Sequence, residues 1–208
     1  MSTLTIDKLI ETLPECAVAT DQEPGNLREF LSNFAAAGGI NFGLSESDSP
    51  IATQSQIIKS VAENCVSSAF VLWSHRMTAE YIDRWATPEV RSKYLTEILS
   101  GERIGSTALA TALADKSGKE LLPITFSETE TEFVIDGVIP WASNLYDDTL
   151  IVFAARHPET EERIIVSAEL NFEGVEVKPA GQLLGLNATS SGTVKFNGLR
   201  LPTLGRTV

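Results

Sequence analysis

The apolar period of this chain changes once, near Gly101, and that change limits the fold more than any other feature. From Thr5 to about Gly101 apolar residues recur at helical spacing, as in Ile57, Val61 and Cys65, then Val66, Ala69, Phe70, Trp73 and Met77. Thr87-Pro88-Glu89 has the form of an N-cap followed by proline at the first helical position, and Gly101 follows Ile98 and Leu99 as a stop. Gly25, Gly38-Gly39 and 47-SDSP-50 mark other breaks. Beyond Gly101 the runs 121-LLPITF-126, 132-EFVIDGVI-139, 149-TLIVFAAR-156, 163-RIIVSAEL-170 and 193-TVKFNGLRLP-202 are short, β-branched and aromatic. Their connections are too short for crossover helices, and Asp136-Gly137 and Asn197-Gly198 are favoured tight-turn pairs, so the second half is expected to be antiparallel. The expectation is an α+β chain: a helix bundle over 1–102, then a small antiparallel β-barrel or sandwich over 103–208, joined without a linker.

Charge narrows the partners. Sixteen Lys and Arg against 28 Asp and Glu give a formal charge of −12, which repels nucleic-acid backbones and anionic membrane surfaces. No apolar run approaches ~20 residues, and the opening MSTLTIDKLIETLPE lacks a basic segment followed by an apolar one, so a cytoplasmic location without a leader is expected. Cys16 and Cys65 are too few for a disulfide framework and are expected in cores; with the widely separated His75 and His157 they form no metal-ligand spacing.

Chemistry concentrates at 137-GVIPWASNLYDDT-149, where a strand-like run gives way to turn residues. Residues two apart on a strand share a face, so Trp141 and Ser143 together would offer a flat apolar surface and a hydroxyl, suited to a planar ligand with a polar edge. The competing reading is an aromatic capping a core at a strand end. Other features are plainer. The alternation 128-ETETE-132 describes a solvated strand face, and 159-ETEER-163 a charged hairpin tip. His75, with no nucleophile or carboxylate nearby in sequence, reads as a satisfied structural histidine. The glycines of 181-GQLLGLNATSSG-192 precede strands rather than a helix and read as a loop, and no nucleophile–histidine pair marks a hydrolase.

Taken in order, 63-ENCVSSAFVLWSHR-76, 101-GERIGSTALAT-111, 136-DGVIPWASN-144, 149-TLIVFAA-155 and 181-GQLLGLNATSSGTVKFNGLRLP-202 resemble the acyl-CoA dehydrogenase family, from about Asn26 to Pro202. That family places a helical domain before a β-barrel domain and a second helical domain, with FAD between the barrel and the last helices. The resemblance implies an FAD-dependent oxidoreductase in which a base removes a proton next to a thioester carbonyl while hydride passes to flavin N5. It implies that Trp141 packs along the ring, that Ser143 and Thr111 donate hydrogen bonds to it, and that Ala110-Thr111 form a strand at its pyrimidine edge. Ser117 matches a serine near flavin and acyl-CoA, although Ala112 replaces an acidic residue and 113-LADK-116 replaces a glycine-rich approach. The loop 42-FGLSESDSP-50 also departs from the family.

The family's base comes from C-terminal helices for which a chain ending at Val208 has no room, so the catalytic residue is unassigned and the chain alone is expected to be inactive. Expected partners are acyl-CoA or a similar small molecule, and a further copy or a chain supplying those helices. A non-catalytic binding module and a flavin monooxygenase of the same fold are the alternatives.

Overall fold

The computed structural model describes residues 5–203; residues 1–4, within the segment read as lacking a leader, and 204–208, the end of the second expected half, lie outside it. The described residues hold α1 (Ile6–Glu11), α2 (Leu13–Gln22), α3 (Arg28–Ala36), α4 (Ile51–Asn64), α5 (Val66–Trp85) and α6 (Pro88–Ser100). After them come β1 (Gly105–Ala108), α7 (Ala110–Lys116), β2 (Ile124–Glu128), β3 (Glu132–Ala142), β4 (Leu150–Arg156), β5 (Arg163–Glu169), β6 (Val175–Pro179) and β7 (Gly192–Pro202). The α+β order read from the sequence is what forms. Thr87 caps α6 by accepting from the Val90 amide at 3.4 Å, with Pro88 in the first turn, and Gly101 ends it with φ of 74°. That glycine is also a close approach, since a Cβ there would lie 2.6 Å from Ser32 Cα.

The sheet corrects two expectations. It is mixed rather than wholly antiparallel: β1 runs parallel to β4, with Gly105 opposite Leu150 and Ala108 opposite Phe153. The four-residue β1, GSTA, carries too little β-branched signal to read as a strand, and its partner lies beyond α7, β2 and β3, so no local crossover announces the pairing. The supposed turn pairs, moreover, face each other inside long strands. Ile135 pairs with Leu199 and Gly137 with Phe196, which leaves Asp136 opposite Asn197 and Gly198 as a bulge. Asp136 Oδ1 accepts from the Gly198 amide at 2.8 Å and holds that bulge. β6 escaped notice for a different reason: its Val-Glu-Val-Lys alternation lies largely exposed beside β7 at the sheet's end.

Two apolar cores result. The helical one gathers Leu31, Phe34, Val61, Leu72 and Ile98, and it takes Ile104, Leu150, Val152 and Ala188 from beyond Gly101. The other lies within the curled sheet, where Phe153 and Phe196 stack with ring centroids 4.5 Å apart. Each fully buried side chain of this size contributes about 1.5–3 kcal/mol. Cys65 is buried, whereas Cys16 is exposed and belongs to neither core, contrary to expectation.

The halves join where α5 crosses β1. A Cβ on Gly105 would fall 2.5 Å from Thr78 Cβ, so only glycine lets the helix lie this close. β1 bonds to β4 along one edge, and α5 supplies acceptors for the other: His75 Nδ1 accepts from the Gly105 amide at 2.9 Å, and Ser74 Oγ from the Thr107 amide at 3.3 Å. Amides two apart on a strand point the same way, so adjacent helix residues can satisfy both. His75 is fully buried; burial pushes its pKa down to about 4 against a smaller upward pull from the Ile98 backbone, with Arg28's charge adding to the fall. His75 is structural, as read, but only half satisfied: Nδ1 is bonded to the Gly105 amide, whereas the buried Nε2 has no hydrogen-bond partner among the described residues.

Candidate functional site

At the end of β3 the alternation breaks. A register shift between Ile139 and Ala142 leaves Pro140 and Trp141 both facing outward, and Asn144 then takes a left-handed φ of 61°. Trp141 is 49% exposed while Ser143 is 4% exposed. The two therefore share no exposed face, contrary to the simple strand expectation, because the bulge and turn intervene between the predicted run and the hydroxyl.

What holds Ser143 is a set of bonds that sequence reasoning missed. Its Oγ lies 2.6 Å from Ser191 Oγ, which lies 2.7 Å from Thr189 Oγ1, and that hydroxyl donates to the Leu186 carbonyl at 2.8 Å. Ser106 Oγ donates to the Ser143 carbonyl at 2.7 Å, bringing β1 to the same point. Asn144, fully buried, donates from Nδ2 to the carbonyls of Val71 at 2.9 Å and Gly105 at 3.0 Å, while its amide donates to the Thr189 carbonyl at 3.0 Å. One side chain thus joins α5, β1, the end of β3 and the 3-10 turn Asn187–Thr189. Leu186 and Ser190, on either side of that turn, have φ of 62° and 47°, so the segment is locally strained where it meets Ser143. The signal available in sequence was the serine and threonine density of 187-NATSS-191, which read as loop composition.

The other sequence-predicted residues lie on α7, and here the expectation of a strand at Ala110-Thr111 is overturned. The run 110-ATALADK-116 contains no glycine and is rich in alanine, the best helix former, so it coils. Thr111 Oγ1 donates to the Ala108 carbonyl at 3.3 Å and Ser117 Oγ to the Ala114 carbonyl at 2.8 Å, so both protons serve the local backbone. Ala110 is exposed. Asp115 accepts from the Leu122 amide at 3.3 Å and pairs with Arg163, whose Nη2 lies 3.2 Å away. Hydrogen bonding from Arg163 holds the Asp115 carboxyl below its usual range, against burial.

Two cavities flank this region. The larger, about 740 Å³, lies between the ends of α5 and α6, α7, and the helix-facing side of β4 and β5. Tyr81, Trp85, Val90, Leu109 and Val152 give it an apolar wall, with Asp115 and Arg163 at its lining. This is the size of a small-molecule site. A smaller cavity of about 240 Å³ is bounded by Leu145, Gly181, Ser190 and Ser191. Neither is lined by Trp141, Ala110, Thr111 or Ser117. Among the described residues no cluster of three His, Cys, Asp or Glu could hold a metal ion, and no helix is long and apolar enough to cross a membrane.

No protein-family model matches the sequence. The short-chain-specific acyl-CoA dehydrogenase of Clostridium acetobutylicum is 25% identical over 149 residues, covering 70% of this chain and 39% of that protein. Among solved structures, butyryl-CoA dehydrogenase from Megasphaera elsdenii superposes with a TM-score of 0.83 at 14% identity, covering 97% of this chain and 57% of that one. PigA with FAD and proline gives a TM-score of 0.77 at 15% identity, covering 100% of this chain and 59% of the other. The chain thus spans 39% of the length of the curated relative and 57% and 59% of the two solved chains. Across its helical and sheet halves, it has the fold of the acyl-CoA dehydrogenase family.

Proposed function

We propose that this chain is the flavin-facing part of an FAD-dependent oxidoreductase of the acyl-CoA dehydrogenase type. The observation that carries the reading is Trp141: a half-exposed indole at a strand end that Asn144, Ser106 and the Ser143–Ser191 contact hold against three other elements. A large flat side chain, uncovered yet on a fixed backbone, fits an isoalloxazine ring, while the buried Ser143 hydroxyl, bonded to Ser191, fixes that backbone from behind. When bound, FAD supplies the hydride-accepting chemistry that side chains lack. The chain's own part is to orient the ring through Trp141, with Ser143 holding the strand end behind it; Ala110, Thr111 and Ser117 are proposed at the ring's edge through their place on or next to α7 rather than through their hydroxyl protons. The curated relative's name and PigA's bound FAD lend support.

The cavity of about 740 Å³ supports an apolar substrate such as an acyl thioester. Asp115, the carboxylate on its wall, is committed to Arg163, so we assign it no role as base and place the base outside the described residues. Val66 and Trp73, exposed on one face of α5, support burial against a second copy or further helices. That same commitment of Asp115, with the backbone-bound hydroxyls of Thr111 and Ser117, favours as second reading a ligand-holding module without catalysis.

Titration with FAD under tryptophan fluorescence tests the reading. Trp73, Trp85 and Trp141 are 43%, 54% and 49% exposed, so collisional quenching touches all three and the variants must separate it. Trp141→Ala should lose a saturable component that Trp73→Phe and Trp85→Phe retain. Stacking gives only about 0.5–1.5 kcal/mol beyond area burial, so weak binding is expected. Equal saturable quenching with and without Trp141 refutes the flavin-facing role, and acyl-CoA turnover by the chain alone refutes the placement of the base.

A further inference from the structure

We propose that the outer edge of β5 is a docking site for an extended peptide, an apolar run led by a basic residue and ended by an acidic one, which adds to the sheet antiparallel to β5. The inference does not rest on flavin, since Trp141 lines neither cavity involved. It begins with where the backbone groups of β5 point. In an antiparallel pair, facing residues alternate between exchanging hydrogen bonds and turning their N–H and C=O away. The Leu170 amide donates to the Thr149 carbonyl at 3.0 Å and the His157 amide to the Glu162 carbonyl at 2.8 Å. The bonded pairs between them are therefore Ile151 with Ala168, Phe153 with Val166 and Ala155 with Ile164. Arg163, Ile165 and Ser167 turn their backbone groups outward. β5 pairs with β4 alone, and among the described residues no hydrogen bond reaches those outward groups. Free edges are ordinarily guarded by charge, proline or a covering element, yet this one carries Ile165, 40% exposed, at its centre.

Apolar space flanks the place a further strand would take. Ile165 and Ser167 stand opposite Ala154 and Val152 on the helix-facing side, where Tyr81, Trp85 and Val90 wall the cavity of about 740 Å³. A second cavity, of about 290 Å³, is lined by Phe172, Leu201 and Pro202. Val90, Val166 and Ser167 line both, so the two meet along β5. Successive side chains of an added strand point to opposite sides, so one set enters the larger cavity and the other the smaller. Strands covered on both faces are continuous apolar runs. Within the larger cavity, such side chains and an acyl chain are alternative occupants. Charge sets the flanks. On the lining, Asp115 is matched by Arg163 and Lys93 by Glu169, whereas Lys116, at the Arg163 end of β5, and Glu89, at the Ser167 end, have no partner among the described residues. An acidic residue complements Lys116 and a basic one Glu89. Antiparallel pairing is the more stable per residue, and it puts the acidic flank at the C-terminal end of the peptide. This is strand addition to a sheet edge, with the backbone giving affinity and the cavities choosing side chains.

The experiment is a fluorescence-anisotropy titration of the full chain into a labelled synthetic peptide as long as β5, seven residues: lysine, valine, isoleucine, valine, threonine, valine, glutamate. Saturable binding is expected. N-methylation removes amide donors and leaves every side chain in place, so methylating one alternate set of peptide amides should weaken binding about tenfold or more, and methylating the other set less than about threefold. Lys116→Glu with Glu89→Lys should weaken it about fivefold and favour the peptide with its end charges exchanged. Ile165→Pro deletes an N–H that bonds nothing in the free chain, so it should keep the far-ultraviolet circular dichroism and lose the peptide. A second measurement needs no variant: amide hydrogen exchange in the free chain should be fast at Ile165 and Ser167 and slow at Ile164 and Val166, with the peptide protecting the first two. Absence of saturable binding, equal effects of the two methylation patterns, or slow exchange at Ile165 and Ser167 in the free chain overturns the inference. So does a dimer that Ile165→Pro dissociates, which assigns the edge to a second copy. None of these readouts involves FAD, so the flavin reading stands or falls separately.

Discussion

Lowering the pH should unfold this protein earlier than its carboxylates alone would, and His75 is the reason. The imidazole is fully buried, accepts from the Gly105 amide through Nδ1, and has its pKa pushed from 6.5 to about 4. Protonation destroys that acceptor and places a charge in the core, so the folded chain binds the proton less readily than the unfolded chain does. Stability linked to His75 is complete above pH 6.5 and is lost as the pH falls toward 4. At about 1.4 kcal/mol per pKa unit, the whole shift corresponds to about 3 kcal/mol, most of it gone by about pH 4.5. The held-down carboxyls of Asp83, Asp115 and Glu169 act in the same direction at the acid end of this range, so a single pH profile mixes them. Urea unfolding followed by far-ultraviolet circular dichroism, on wild type and His75→Gln, separates the contributions. Glutamine cannot titrate, and its carbonyl can still meet the Gly105 amide. Between pH 7 and 4.5 the wild type should lose about 2–3 kcal/mol more than the variant. Equal losses would refute the claim that His75 is buried and neutral against β1.

Two substitutions test the seam between helices and sheet. Asn144→Ala strips the donor from the Val71 and Gly105 carbonyls and leaves a Cβ-bearing residue at φ of 61°, so a loss of about 2–4 kcal/mol in denaturant unfolding is expected; Asn144→Gly should recover only the backbone part. Gly105→Ala drives a methyl onto Thr78 Cβ and should lower the melting temperature by the equivalent of about 1–3 kcal/mol, with Thr78→Ala in the same chain giving partial relief because Thr78 Oγ1 and Cγ2, at 2.8 and 2.9 Å, are removed.

The helices could be read from sequence because each has its own period and punctuation. Thr87, Pro88 and Gly101 specify one helix without help from the rest of the chain. The long strands were equally legible, since β3, β4 and β7 bury one or both faces and need β-branched and aromatic side chains. Pairing was not. Nothing local in Gly105–Ala108 reveals that its partner is Leu150–Phe153, and a dipeptide such as Asn197-Gly198 has the same preference for positive φ in a bulge as in a turn. Trp141 stood out in sequence because a large aromatic beside turn residues is unusual. The residues that fix its neighbour did not: Ser191 and Thr189 gain their role from a contact with Ser143 across 48 positions, and a serine in a loop looks alike whether or not it meets one.

Leu150 and Val152 are counted in the helical core although they lie some fifty residues past the last of its six helices. During synthesis, a chain that has emerged as far as Gly101 owns every helix of the bundle but not the apolar side chains that close it. At about 1.5–3 kcal/mol for each large side chain withheld, the bundle lacks part of its core until β4 is made, and β1 has no strand to pair with. The contacts of β1 with α5, such as Gly105 to His75, close a shorter stretch of chain than its pairing with β4, such as Gly105 opposite Leu150, so loop-closure entropy lets β1 meet α5 before β4 arrives. The backbone beside Trp141 draws its bonds, through Asn144, from α5, β1 and Thr189, so elements of both halves must be present for it to be held.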